Sequence, residues 1–153
     1  MTARKDILVQ AAIDLLSVPP LVFRQIRRKL IRTTLVGLDA GITLHHVEII
    51  RLLEKEGELH VAEIGDRLQI ARAQMTALVD KLVTLNLVER RTDAADRRIT
   101  ILTLSDYGKA VWREHRAGLI KAMQEAMEPL SDEELQDLSQ TLRRLQEVLA
   151  KLT

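Results

Sequence analysis

The hydrophobic pattern of this 153-residue chain is helical almost throughout and changes its period in one stretch, residues 87–104. Elsewhere, apolar residues recur about every three to four positions, as on the buried face of an α-helix. Within the stretch, Leu87 to Arg91 is typical of a short strand, and apolar and polar residues alternate from Arg98 to Leu104. The pattern therefore predicts an α+β fold that is mainly α-helical, with one small β-hairpin that has a charged tip.

The helices can be placed along the chain from this periodicity. The pair Pro19-Pro20 is expected to separate the first two helices, because proline lacks an amide hydrogen and interrupts a helix. Pro20 suits the first turn of the second helix, and Gly37 suits its end. The pattern predicts helices over residues 6–17, 20–36, 44–56, 61–68, 72–85 and 106–127, and a final helix after Ser131.

Residues that start and stop helices support these bounds. Thr43 and Ser105 are suited to the N-cap positions of two helices, and Asn86 to a left-handed residue after a third. The sequence Ser131-Asp132-Glu133-Glu134 is a capping box, in which serine and the glutamate three positions later each accept an amide hydrogen of the other. It is the most specific local signal in the chain.

Composition excludes several classes of function. The chain contains no cysteine, so disulfides, thiolate metal sites and thiol nucleophiles are excluded. Phe23, Tyr107 and Trp112 are its only aromatic residues, which argues against a base-stacking platform for single-stranded nucleic acid. There is no signal peptide pattern and no apolar run long enough to span a membrane. We expect a cytoplasmic protein with an aliphatic core, no membrane association and no cofactor.

Two short helices followed by a charged hairpin form a pattern that suits double-stranded DNA. The predicted helices 61–68 and 72–85 are joined by a tight connection, as in a helix-turn-helix. A helix of this kind can enter the major groove, where each base pair presents a distinct set of donors and acceptors. The hairpin can reach the backbone or the minor groove, and it carries four arginines within ten residues: Arg90, Arg91, Arg97 and Arg98.

The hairpin and the residues after it resemble a known family. The segments that carry the resemblance are Leu87-Val88-Glu89-Arg90, Asp96-Arg97-Arg98 and Leu104-Ser105-Asp106-Tyr107-Gly108-Lys109. They are similar to the MarR family of winged helix-turn-helix transcriptional regulators, and the order of elements agrees over essentially the whole chain. The resemblance implies a homodimer that binds a pseudo-palindromic operator and a small-molecule effector, most often as a repressor.

The resemblance also implies an organisation and a set of site residues. In a single MarR-like domain covering residues 1–153, residues 1–36 and 106–153 would form the helical dimerisation region and residues 43–104 the DNA-binding lobe. Arg98 would be the wing-tip arginine, held by Asp96, and Arg90 would lie at the base of the wing near phosphate. The implied DNA-binding residues are Arg72, Gln74, Thr76, Arg90, Arg91, Asp96, Arg97 and Arg98; ligand-binding residues remain unassigned.

Three residues depart from the family pattern. Ala71 stands where the recognition helix usually begins with serine or threonine, and its side chain cannot cap the helix. Ala77 stands in place of a residue that is often basic or polar, so direct contacts to bases are expected to be sparse. Gly65 replaces a usual alanine and lowers helix stability by roughly 0.5–1 kcal/mol unless close packing requires it.

Three other kinds of function compete with DNA binding: a homodimer that does not bind DNA, an enzyme and a metal-binding protein. A helical homodimer that binds a small molecule or a protein without binding DNA is the alternative. The changes at Ala71 and Ala77 keep it open, while the intact arginine-rich wing counts against it. An enzyme is disfavoured, because no nucleophile with a neighbouring base and no phosphate-binding glycine loop is present. His45 and Glu48 have a spacing that can face one metal ion, but four histidines are ordinary for a helical protein, and we expect no metal.

Overall fold

The computed structural model describes residues 2–30 and 41–152. Contacts divide the chain into two compact units, Met1–Ile26 with Ile120–Thr153, and Arg27–Leu119. The predicted end of the second helix at residue 36 and its stop at Gly37 lie outside the described residues.

The first helix, α1 (Thr2–Leu30), runs without interruption through Pro19 and Pro20. The prediction of two separate helices was therefore wrong. The prolines remove the amide donors that would bond to the carbonyl oxygens of Leu15 and Leu16, and both of these residues are exposed. Because both positions are exposed within this chain, the freed carbonyl groups are not enclosed by it, and the lost hydrogen bonds do not force the helix to end here.

The larger unit contains the helix-turn-helix and the hairpin that the sequence predicts. Its elements after α1 are α2 (Leu44–Glu56), β1 (Glu58–His60), α3 (Val61–Leu68), α4 (Arg72–Thr84), β2 (Val88–Thr92), β3 (Thr100–Leu104) and the start of α5 (Asp106–Met127). The bounds of α2 and α3 agree with the prediction, and α4 ends one residue earlier than predicted. Asn86 has the expected left-handed conformation, with φ of 57°.

The hairpin belongs to a three-stranded antiparallel sheet of order β1-β3-β2. Leu102 of the central strand β3 is paired with Leu59 on one side and with Arg90 on the other. Strand β1 was not predicted, because three residues are too short to show alternation. It lies directly after Gly57, whose φ of 87° lets the chain turn out of α2.

The core of this unit is almost entirely aliphatic, as the composition predicts. The inner face of the sheet contributes Val88, Leu102 and Leu104, and Trp112 of α5 packs with the same cluster. The helices contribute Ile49, Ile50, Leu53, Ile64, Met75, Leu78, Val79, Leu82 and Val111.

The start of α5 is fastened to the chain segment that follows α4. The Ser105 hydroxyl donates to the carbonyl oxygen of Asn86 over 2.5 Å and accepts the amide hydrogen of Gly108 over 2.8 Å. The amide of Ser105 also donates to the carbonyl oxygen of Leu87 over 3.1 Å. Ser105 is therefore the N-cap residue that the sequence predicts, and it joins two elements besides starting a helix.

The smaller unit contains most of α1, the end of α5 and α6 (Asp132–Leu149). The capping box is present at the start of α6: the amide of Ser131 donates to Glu134 Oε2 over 2.8 Å, and the amide of Glu134 donates to Ser131 Oγ over 3.2 Å. None of the residues of α6 is buried within this chain. Large apolar side chains of the unit are exposed, among them Ile7, Leu8, Ile13, Leu16, Leu21, Leu142 and Val148.

Candidate nucleic-acid interface

The turn between α3 and α4 is built from a left-handed residue and a close approach at a glycine. Gln69 has φ of 54°, and the amide of Ile70 donates to the carbonyl oxygen of Gly65 over 2.9 Å. A Cβ on Gly65 would lie 3.2 Å from Met75 Cγ and 3.3 Å from the carbonyl oxygen of Ile70. Close packing therefore explains the glycine, and it sets how α4 leaves the turn.

The first turns of α4 present the predicted recognition residues to solvent. Arg72, Gln74 and Thr76 are exposed, whereas Met75 between them is buried in the core. Ala71 occupies the N-cap position and gives no side-chain hydrogen bond, as expected. The amide of Gln74 donates to the carbonyl oxygen of Ala71 over 2.9 Å, so the amides left to water or to an external acceptor are those of Arg72 and Ala73.

Arg90 links the wing to the recognition helix. Its Nη1 lies 2.7 Å from Asp80 Oδ1 on α4, and both side chains are about half exposed. The carboxylate of Asp80 offsets the charge of Arg90 while leaving the outer part of the guanidinium accessible. An exposed pair of this kind contributes at most about 1 kcal/mol to stability.

Arg91 is engaged across the sheet. Its Nη2 lies 2.9 Å from Glu58 Oε2 on β1, so the pair joins the two outer strands across β3. Arg91 and His60 are the two register partners of Ile101, which is buried. Arg91 therefore has a structural partner in addition to any role at a nucleic-acid surface.

The wing tip holds one arginine out to solvent in a defined geometry. Asp96 Oδ1 accepts from the backbone amide of Arg98 over 2.9 Å and from its Nε over 3.1 Å, and Asp96 Oδ2 lies 3.1 Å from Arg98 Nη2. The Arg98 side chain is nevertheless 90% exposed. These hydrogen bonds hold the pKa of the Asp96 carboxyl below its ordinary value.

Arg97 and Arg98 lie in the turn and not on the strand, since β3 begins at Thr100. The prediction of a strand from Arg98 was wrong by two residues. The amide of Ile99 donates to the carbonyl oxygen of Asp96 over 3.0 Å, and this turn replaces the strand ladder there. Arg97 is exposed and makes no hydrogen bond or ion pair with any residue that the structure describes.

Comparison with known proteins gives this arrangement a family. Residues 40–99, which include α2 to the wing tip, match the family model described as the MarR family. The transcriptional repressor MdtR of Bacillus subtilis is 32% identical over 95 residues, which are 62% of this chain and 61% of MdtR. Over these residues the chain is similar to the MarR family.

Other MarR-family and regulator sequences and structures agree. The transcriptional regulator MhqR of Bacillus subtilis is 26% identical over 69% of this chain and 72% of its own length. The structure of YusO from Bacillus subtilis matches 90% of this chain and 96% of YusO, with a TM-score of 0.71 and 25% identity. A MarR family protein from Bacillus stearothermophilus has the same fold, with a TM-score of 0.74, 23% identity and coverage of 95% and 97%.

Sequence reasoning missed three acidic residues that organise the basic wing. Asp80 and Glu58 hold Arg90 and Arg91, and Asp93 accepts two backbone amides of the wing loop. Asp93 lies in a polar turn, where aspartate commonly accepts backbone amides a few residues further along, so its role could have been inferred from the sequence. Asp80 and Glu58 are ten and 33 residues from their partners, and no local pattern indicates those contacts.

The two histidines at the start of α2 have nearby polar partners. His45 Nδ1 lies 3.2 Å from Glu48 Oε2, so the predicted spacing does bring these two residues together. His46 Nδ1 accepts from the amide of Thr43 over 2.9 Å at the start of α2. Within residues 2–30 and 41–152, no group of three or more histidines and carboxylates is placed to hold a metal ion.

No helix in the described ranges combines the length and apolar character needed to cross a lipid bilayer.

Proposed function

We propose that this chain is a transcriptional regulator that binds double-stranded DNA in a sequence-specific way. The observation that carries the proposal is the wing tip, where Asp96 holds the Arg98 guanidinium in a fixed orientation while leaving the side chain 90% exposed. This geometry leaves the guanidinium of Arg98 accessible to an external anion. The similarity to the MarR family and to the repressor MdtR supports the same function.

The proposed contacts follow from placement on the lobe. Arg72, Gln74 and Thr76 on the exposed start of α4 suit base edges in the major groove. Arg98 suits a narrow minor groove, where the negative potential is enhanced, with Asp96 as its orienting partner. The remaining arginines of the wing, Arg90, Arg91 and Arg97, are assigned to phosphate contacts. Arg90 and Arg91 each have a carboxylate partner, whereas Arg97 has none among the described residues.

The chain is proposed to act as a homodimer. Residues 1–36 and 106–153 would form the dimerisation region and residues 43–104 the DNA-binding lobe. Exposed aliphatic side chains on α1 and α6 support this assignment, because water disfavours apolar surface of that extent. Two lobes related by a twofold axis would read half-sites about one DNA turn apart, which requires a pseudo-palindromic operator.

We further propose repression that a small-molecule effector relieves. The relative MdtR is a transcriptional repressor, which supports repression as the mode of regulation. The proposal gives the chain no catalytic role and places it in the cytoplasm with the DNA it binds. Thermal unfolding with candidate ligands, in the presence and absence of operator DNA, tests the effector: a ligand that stabilises the free protein and releases DNA supports it.

The central test is binding to DNA. Fluorescence anisotropy with the duplex upstream of the chain's own gene is compared with a shuffled duplex of equal composition. We expect a preference for the upstream duplex and an affinity that falls steeply with salt, since neutralised phosphates release counterions. Equal, weak and nearly salt-independent binding of both duplexes would instead favour a helical dimer that does not bind DNA.

A further inference from the structure

The loop at the wing tip, residues 93–99, is held by a second carboxylate besides Asp96. Asp93 Oδ1 accepts the amide hydrogen of Ala95 over 2.7 Å and that of Asp96 over 3.1 Å. The amide of Asp93 itself donates to the carbonyl oxygen of Ile99 over 2.9 Å and closes the loop. Asp93 thus contacts both sides of the loop, at the point where strand β2 has ended.

The bonds of Asp93 lead directly to Asp96. One of the two amides that Asp93 accepts belongs to Asp96, whose carboxylate then takes three hydrogen bonds from Arg98. The carbonyl oxygen of Asp96 accepts from Ile99. The backbone of Asp96 is therefore fixed on its amide side by Asp93 and on its carbonyl side by the turn.

We propose that Asp93 is a positioning residue for DNA binding, which acts on Arg98 through Asp96. Its carboxylate sets the backbone position of Asp96, and this position decides whether the two oxygens of Asp96 can meet the fork of Arg98. The proposal rests on the proposed function, because the value of a positioned Arg98 is an affinity for DNA. It adds a residue that does not itself face the duplex.

The physical reason is an entropic one. A free arginine side chain samples many rotamers, and it must lose them when it enters a groove. The hydrogen bonds that connect Asp93, Asp96 and Arg98 restrict the arginine before DNA binds, so less conformational entropy is lost on binding. In line with this, the two amide hydrogen bonds hold the pKa of the Asp93 carboxyl below its ordinary value, so the ionised form is the one that the loop binds.

Two substitutions with the same change of charge separate positioning from simple electrostatics. Asp93→Asn keeps an oxygen that can accept both amide hydrogens, whereas Asp93→Ala keeps none. Both remove one negative charge near DNA. We expect Asp93→Asn to bind the upstream duplex at least as tightly as the natural chain, and Asp93→Ala to bind about three- to tenfold more weakly.

The difference in DNA affinity between the two variants is decisive, because a carboxylate that only repels DNA would affect both variants in the same way. If Asp93→Asn and Asp93→Ala tighten binding equally, Asp93 is only an electrostatic penalty and the proposal is overturned. In an Arg98→Ala background, Asp93→Ala should cause no further loss. A full additional loss there would show that Asp93 acts independently of Arg98 and would also overturn the proposal.

A measurement without DNA separates this proposal from the proposed function. The Nε–H resonance of Arg98 is followed by NMR in the protein without DNA. We expect Asp93→Ala to shift it toward its position in Asp96→Ala, and Asp93→Asn to leave it near that of the natural chain. An unchanged resonance in Asp93→Ala overturns the positioning role. A natural chain that binds no DNA overturns the proposed function, and the resonance still decides whether Asp93 positions Arg98.

Discussion

Gly108 of α5 lies against the backbone of Leu87 so closely that a Cβ built on the glycine would overlap the carbonyl oxygen of Leu87. The same carbonyl group accepts the amide hydrogen of Ser105. The Leu-Ser-x-x-Gly segment at the end of the hairpin is therefore a packing motif: serine caps the helix, and glycine lets its first turn approach the segment before β2. It fixes where α5 begins relative to the segment between α4 and β2.

Replacing this glycine should destabilise the protein strongly. We expect Gly108→Ala to lower the free energy of unfolding by about 2–3 kcal/mol, because the methyl group meets backbone and no flexible side chain can move aside. Urea denaturation at one fixed protein concentration measures the change. Gly118→Ala, in the same helix with nothing within 4 Å of the added Cβ, is the matched control. It should raise stability by about 0.5–1 kcal/mol, and equal losses in both variants would contradict the packing role.

The two serine caps should differ in their contribution to stability. Ser105 is buried and makes two side-chain hydrogen bonds, so Ser105→Ala leaves buried backbone groups without their partner and should cost about 2 kcal/mol. Ser131 caps α6 in an exposed position, and Ser131→Ala should cost about 1 kcal/mol. Urea denaturation of both variants gives the comparison. A larger loss at Ser131 would mean that the bond from Ser105 to Asn86 adds no stability.

Arg98 should dominate the contribution of the wing tip to DNA affinity. Arg98→Ala is expected to weaken binding of the upstream duplex by about 1–3 kcal/mol per lobe, similar to a good groove contact, while the dimer stays folded. Arg97→Ala is the matched control, since it removes an equal charge from an exposed neighbour that has no described partner. We expect a smaller loss there, and a uniform one across sequences.

Whether Asp96→Ala weakens or tightens DNA binding tests whether Asp96 orients Arg98. Asp96→Ala removes a negative charge, which alone would tighten binding, but it also frees the guanidinium of Arg98. We expect binding to weaken, by less than in Arg98→Ala. Anisotropy titrations at one salt concentration measure this. Tighter binding by Asp96→Ala would show that the pair does not orient Arg98.

Acid should destabilise the fold through a buried histidine. His115 of α5 is fully buried beside Trp112, and burial lowers its pKa from the ordinary value of 6.5. The unfolded chain therefore binds a proton at a pH where the folded chain does not. The stability associated with neutral His115 is complete above pH 6.5 and declines as the pH falls below it.

Urea denaturation between about pH 5 and 8 measures how stability depends on the protonation of His115, since this pH range includes the ordinary titration of histidine. We expect His115→Phe, which keeps a ring beside Trp112, to show a flatter dependence of stability on pH. The carboxyls of Asp93 and Asp96 do not interfere, because their lowered pKa values place any loss of their contribution below 3.8. Identical slopes in the two proteins would show that His115 is not the titrating group.

Local sequence patterns determined most of the secondary structure of this chain. The bounds of α2 and α3, the N-caps at Ser105 and Ser131 and the left-handed Asn86 each depend on residues within about one helical turn. The pair of Asp96 and Arg98 is local as well, because two residues in a turn are close in any fold. Such features can be read from sequence, since the interactions that stabilise them involve near neighbours.

Features that depend on distant residues were decided by the tertiary structure. Whether α1 ends at Pro19 depends on whether water reaches the carbonyl groups that proline leaves free, which is a matter of exposure. Strand β1 is three residues long and exists because β3 supplies its hydrogen-bond partners. The partners of Arg90 and Arg91 are brought to them by the packing of α4 and by the order of the sheet. Ion pairs between exposed groups are too weak to direct the fold, so they form where the packed core places their partners.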